Sequence, residues 1–321
     1  MDTHETVSET RLDRGLRRAL DAEIAALLEE PSVTDVMCNA DGRVFVDRTG
    51  AGRTDSGITL TAANADFALR MLASSVGTVI TRDAPLLSAT MPGSGERVAG
   101  SIAPITEQPT LSIRKPPRTV FDLSAFSRGP CALADGPVID GDDPLVRAVQ
   151  ERRNILIAGS TGSGKTSLLS SLLQIDSVVR DRCLIIEDTR EIAIEAPDHV
   201  RFLTSPQIGM QRLVQHALRY RPDRIVLGEV RSGDAALEML FACNTGHSGS
   251  FGTIHANSAL DALGRLEDLC STICPQPPRR AIATAIGCVV FVQRTMTGRA
   301  ISEVLYVDGW QDGTGYVTRS M

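Results

Sequence analysis

The chain has 321 residues, 42% of them hydrophobic and 22% charged, a composition that excludes a disordered or fibrous protein. Thirty-three basic against 39 acidic residues leave a net charge of −6, and the aromatic residues are eight Phe, three Tyr and one Trp. That balance argues against a broad basic surface for nucleic acid and leaves few rings for base stacking, so no strong direct nucleic-acid binding is expected. The length suggests two domains at about 100–200 residues each.

The start, Met1-Asp2-Thr3-His4-Glu5, lacks the basic residues and apolar run of a signal peptide. No apolar stretch reaches the ~18 residues of a membrane helix. The seven cysteines are scattered and odd in number, which fits a reducing cytoplasm better than a disulfide framework. Cys270 and Cys274 are four apart on an expected helix and read as core residues rather than half of a metal site.

Leu12, Leu16, Leu20, Ile24 and Leu28 recur at helical spacing up to Pro31. Val33 to Cys38, the turn Asn39-Ala40-Asp41-Gly42 and Val44-Phe45-Val46 read as a β-hairpin. A helix over 62–75 follows, with Gly77 near its end, and then three short strands over 86–90, 97–102 and 110–114. Residues 1–116 are thus expected to form a small α+β domain with an antiparallel sheet. Residues 117–143, punctuated by Pro and Gly, read as a linker. Asp143 before Pro144 starts a helix. From there, residues 144–321 alternate strands (155–158, 183–187, 224–228, 250–255) with helices (165–173, 209–220, 235–244 and one capped by Ser258), closing with strands near Val289 and Val304. Continuous apolar strands alternating with helices predict an α/β domain with a mostly parallel, buried sheet.

Gly159-Ser160-Thr161-Gly162-Ser163-Gly164-Lys165-Thr166 follows one such strand and opens a helix, matching G-x-x-x-x-G-K-[ST] in full. Such a loop converges backbone N–H groups on phosphate oxygens. Lys165 would neutralise the β- and γ-phosphates of ATP, and the Thr166 hydroxyl would take Mg²⁺. Hydrolysis further needs acids that position the metal and orient water. Glu187 and Asp188 close one strand and Glu229 closes another, at the carboxyl ends where doubly wound sheets bind ligands. His255 closes a third and could reach a γ-phosphate; His247 is a weaker candidate.

Four segments in order carry a family resemblance: the loop Gly159 to Thr166; Ile186-Glu187-Asp188-Thr189-Arg190-Glu191; Arg221-Pro222-Asp223-Arg224-Ile225-Val226-Leu227-Gly228-Glu229-Val230-Arg231; and Gly252-Thr253-Ile254-His255-Ala256-Asn257-Ser258. They resemble the Walker A, Asp-box, Walker B and His-box segments of the secretion-ATPase superfamily. Over roughly residues 10 to 310 the chain is most similar to its type IV secretion and conjugative-transfer branch, TrbB-like. Glu96-Arg97-Val98 and the run Thr110 to Pro116 support that branch.

The resemblance implies a RecA-like P-loop motor domain behind an N-terminal sensory domain. It implies a homohexamer in the cytoplasm, peripheral at the inner membrane and attached to components of a transfer machine there. Glu229 would be the catalytic acid, with Glu187 and Asp188 supporting Mg²⁺ and water. Arg97 and Arg114 match arginines that reach the γ-phosphate; on the expected strand, Arg114 shares the outward face with Thr110 and Ser112. Gly228 stands where many P-loop ATPases place a Mg²⁺-binding Asp, as is usual in this superfamily. The paired Cys-x-x-Cys zinc module of pilus-assembly motors is missing, which favours the conjugative branch or a zinc-free retraction motor. A RecA-like nucleic-acid translocase is the remaining alternative.

Overall fold

A computed structural model describes residues 20–49, 51–91, 94–116, 120–128, 143–205, 207–295 and 298–320. The chain divides into two compact units, Met1–Arg118 and Thr119–Met321.

In the first unit, helix α1 (Ala22–Glu29) starts where Asp21, at φ 77°, caps it through a 2.6 Å bond accepted from the N–H of Ala22. Of the helix expected from Leu12, the described part is Ala22–Glu29; Leu12 and Leu16 lie outside the described residues. Strands β1 (Val33–Cys38) and β2 (Arg43–Arg48) form the expected hairpin. A strand absent from the sequence reading, β3 (Gly52–Thr59), pairs with β2. Helix α2 (Ala62–Ser75) is capped by Thr61, and its buried face is Ala65, Ala68, Leu69, Leu72 and Ala73, a helical stripe. Strands β4 (Leu86–Thr90), β5 (Arg97–Ser101) and β6 (Thr110–Arg114) complete a fully antiparallel sheet in the order β3-β2-β1-β6-β5-β4. One face packs with the helices through Val36, Val98, Leu111 and Ile113.

Within the stretch expected to be linker, strand β7 (Phe126–Arg128) pairs with β14 (Arg299–Gln311), so this piece belongs to the second unit's sheet. Helix α3 (Pro144–Gln150) begins as expected, with Asp143 accepting from the N–H of Leu145 at 2.7 Å. The remaining elements are β8 (Ile155–Ala158), α4 (Lys165–Leu172), α5 (Asp176–Val179), β9 (Cys183–Glu187), β10 (His199–Leu203), α6 (Met210–Ala217), β11 (Arg224–Leu227), α7 (Gly233–Asn244), β12 (Phe251–Ile254), α8 (Ala259–Ser271), α9 (Arg279–Ala285), β13 (Cys288–Arg294) and β15 (Gly315–Ser320).

The sheet runs β10-β9-β11-β12-β8-β13-β14-β15. It is parallel from β10 to β13, and the hairpin strands β14 and β15 add antiparallel edges. Alternate residues feed two cores. Leu156 and Ala158 pack with α6 to α9, whereas Ile155 and Ile157 pack with α3 to α5. Burial on both faces explains why β8, β9, β11 and β12 are buried at every position.

Candidate functional site

Strands β9, β11, β12 and β8 are parallel neighbours, so the segments leaving their carboxyl ends emerge together. These are Asp188, Gly228-Glu229, His255 and the loop Gly159 to Gly164, the placement at which open α/β sheets collect ligands. In the loop, Gly162 and Gly164 have φ of 73° and 102°, values that an L side chain rarely adopts. They let the chain turn sharply into α4. Ser160, Thr161 and Ser163 complete the bend, with the N–H of Ser163 donating to the carbonyl of Ser160 at 3.3 Å. Thr166 follows Lys165 in the first turn of α4.

Lys165 is buried, and its ammonium folds back onto its own loop, donating to the carbonyls of Gly159 and Ser160 at 2.9 Å each. Its third partner is Nδ1 of His255 at 3.3 Å. An ammonium only donates, so Nδ1 accepts and the proton of a neutral imidazole sits on Nε2. Nε2 lies 2.8 Å from Oε1 of Glu229, and the other oxygen of Glu229 accepts from Arg231 at 2.6 Å. Arg231 also reaches Oδ2 of Asp188 at 3.4 Å. Lys165, His255, Glu229, Arg231 and Asp188 thus form one polar chain across the ends of four strands.

Charge follows from that chain. Burial pulls the Lys165 ammonium below its usual pKa, against the opposing pull of Glu229. Burial and the Lys165 charge lower His255, consistent with a neutral ring. Burial pushes Glu229 up, but Arg231, His255 and Lys165 together hold its carboxyl below the ordinary range. Glu229 is ionised at neutral pH. The turn that carries it is pinned by Oγ1 of Thr253, which donates to the carbonyl of Gly228 at 2.5 Å, and by the N–H of Val230 on the carbonyl of Thr253 at 2.8 Å.

Glu187 sits at its expected strand end but turns to a different task. Its Oε1 accepts from the N–H groups of Glu191 and Ile192 at 2.8 and 2.7 Å, and its Oε2 is bound by Arg201. The side chain is 2% exposed, and burial pushes its pKa up. Both oxygens are therefore committed, one to the turn after β9 and the other to Arg201 on β10. Gly228 lies against it: an added Cβ would stand 3.3 Å from Cγ of Glu187, so an Asp in place of Gly228 would press on that carboxylate's stem. Asp188 is more open and accepts from the Thr204 hydroxyl at 3.0 Å. His247 lies apart from this group, its Nδ1 3.3 Å from the carbonyl of Ala242 at the end of α7.

Arg97 and Arg114 belong to the first unit, where β5 and β6 register them directly opposite each other. Arg114 donates from Nε to Oδ1 of Asp35 at 2.8 Å, and Asp35 is its partner across β1. The outward row Asp35, Arg114, Arg97 is the reverse of the face carrying Ile113 and Val98, as the strand period requires. Asp35 offsets the repulsion of two arginines placed opposite one another. Sequence reasoning gave no role to Arg231, although it stands two residues from Glu229, or to Arg201, whose pairing with Glu187 has no local signal.

A family model described as "Type II/IV secretion system protein" matches residues 138–302. The chain belongs to that family. It is 34% identical to a probable conjugal transfer protein TrbB of Sinorhizobium fredii, over 95% of this chain and 93% of the relative. It is equally 34% identical to the type IV secretion system protein PtlH of Bordetella pertussis, over 88% and 92%. The likeness to the secretion-ATPase superfamily and to its TrbB-like branch is borne out. The fold resembles that of the pilus retraction motor PilT, solved with bound ADP, at TM-score 0.59 and 21% identity over 93% of this chain and 81% of that one. Among the described residues, no helix is long and apolar enough to cross a membrane.

Proposed function

We propose that the chain is an ATP-hydrolysing motor of a conjugative type IV secretion apparatus, working as a homohexamer in the cytoplasm against inner-membrane components of the machine. The second unit is the RecA-like P-loop domain. The observation that carries this reading is the polar chain from Lys165 through His255 to Glu229, which converges on a complete phosphate-binding loop. The names of its relatives support the setting in conjugal transfer and type IV secretion.

In this reading the backbone N–H groups of Gly159 to Gly164 and the start of α4 cradle the phosphates. Lys165 leaves the Gly159 and Ser160 carbonyls for the β- and γ-phosphates. Glu229, ionised and held by His255 and Arg231, orients the attacking water and draws on its proton. Glu187 is a positioning residue that fixes the turn carrying Asp188. His255 joins Lys165 to Glu229, so phosphate binding at one is felt at the other. Arg97 and Arg114 are assigned to the γ-phosphate, where a positioned arginine is worth ~10³-fold or more.

Among the described residues, no cluster of three His, Cys, Asp or Glu forms a metal cage. That donor set fits Mg²⁺ carried in on the phosphates, which needs few protein ligands: the Thr166 hydroxyl, with Asp188 beyond it. When bound, Mg²⁺ would neutralise charge developing on the phosphates. The test is Lys165→Ala, measured as Mg²⁺-dependent phosphate release alongside far-UV circular dichroism. A loss of ~10³-fold or more in a folded variant is expected; near-parent turnover would end the reading.

A further inference from the structure

One guanidinium beside the phosphate loop has no part in that scheme. Arg299 opens β14 and is half-buried. Its stem runs against the loop's last glycine: a Cβ added to Gly164 would overlap Cδ of Arg299 and stand 2.7 Å from its Nε. The guanidinium carbon lies 5.0 Å from the centroid of the Phe121 ring. Phe121 is itself tied to α4, since Oγ of Ser171 donates to its carbonyl at 2.5 Å. Arg299 is thus held between an aromatic face and the phosphate loop.

Among the described residues, no carboxylate or hydrogen-bond acceptor pairs with the guanidinium of Arg299, whereas Arg201 and Arg231 each have a carboxylate partner. Burial and the like charge of Arg294 both work against its protonated form. An aromatic face offsets only part of that cost. A half-buried cation so placed gains most from an anion arriving in the loop.

We propose that Arg299 is a nucleotide-binding residue whose guanidinium, steadied by Phe121, contacts the phosphate group of the nucleotide held by Gly159 to Thr166. This rests on the nucleotide-binding reading of that loop. The contact forms with the bound nucleotide as such, so it acts on affinity rather than on the chemical step.

The experiment titrates ADP and pyrophosphate separately into the full-length chain and into Arg299→Met, Arg299→Lys and Lys165→Ala, with melting curves recorded without ligand. Methionine keeps an unbranched stem against Gly164 and removes the charge. The expected result is that Arg299→Met weakens both ligands by about 10–100-fold. Lysine should fall between methionine and the parent, because it keeps the charge without the planar fork. The ligand-free melting temperature of Arg299→Lys should match the parent. Equal affinities in parent, Lys and Met variants would overturn the proposal, and so would loss of ADP binding with pyrophosphate binding intact, since the contact would then be to base or sugar. If Lys165→Ala loses ADP while Arg299→Met does not, this inference fails and the loop's function stands. A parent that binds neither ligand overturns both.

Discussion

Along β6 of the first unit, Leu111 and Ile113 are buried while Arg114 faces solvent; along β8 of the second unit, Ile155, Leu156, Ile157 and Ala158 are all buried. The two sheets thus offer chemistry in different places. A sheet that packs with helices through one face can carry a row of charges on the other, as Asp35, Arg114 and Arg97 do. A sheet covered on both faces can present polar groups only where its strands end. There the neighbouring ends gather Lys165, Glu229 and His255 into contact. Glu187 and Glu229 show how finely that matters. Both sit at strand ends, yet one carboxylate is closed off by two amides and Arg201, while the other keeps a partly open side chain beside the loop.

That contrast can be broken in four ways. The largest effect should come from the charged row of the first sheet. Arg97→Ala and Arg114→Ala are each expected to cut turnover by ~10³-fold with the fold intact, and Arg→Lys at either should also be damaging. Parent-like hydrolysis by both alanine variants would leave the row as a solvated surface. Core truncation should separate the sheets next. Ile157→Ala, between layers, is expected to lower unfolding free energy by about 3–5 kcal/mol, against about 2–3 kcal/mol for Ile113→Ala on the one-sided sheet, both read by urea denaturation. Equal losses would remove the energetic side of the contrast.

Glu187→Gln should cost about 10-fold in activity, with a lower melting temperature, because it weakens bonds that hold the 188–192 turn. Activity lost without any change in melting would return Glu187 to direct chemistry. The smallest effect concerns pH. The pKa of His255 is depressed in the folded chain, so its contribution to stability is full above the ordinary value of about 6.5 and is lost as pH falls toward the folded value. Protonating Nδ1 would also break its bond from Lys165. ATPase activity should therefore show an acid limb below about pH 6.5, and His255→Gln should flatten it; an unchanged limb would place that titration elsewhere.

The elements legible in the sequence were those whose pattern is local. β8, α4, β9, β11 and α2 carry unbroken or periodic apolar runs, and the phosphate loop is contiguous. β3 escaped because Gly52-Arg53-Thr54-Asp55-Ser56-Gly57 looks like loop, and its strand state depends on pairing with β2. β10 and β15 lie at sheet edges, half-exposed, where the apolar signal thins. β7 hid in a Pro- and Gly-rich stretch and is a strand only because β14 offers it an edge. The site divides in the same way. Lys165, Glu229 and His255 announced themselves by position, but the diversion of Glu187 depends on Arg201, 14 residues away, and on the conformation of the turn between them. No pattern along the chain records that.

The central claim is that Glu229, rather than Glu187, works on the water that attacks ATP in the second unit. Its most direct test is paired ATP binding and steady-state hydrolysis in Glu229→Gln. An amide keeps the shape and loses the negative charge, so ATP should bind with affinity within about 3-fold of the parent while turnover falls by ~10²-fold or more. Turnover near the parent value, with Glu187→Gln the more severely impaired of the two, would contradict the account and exchange the two roles.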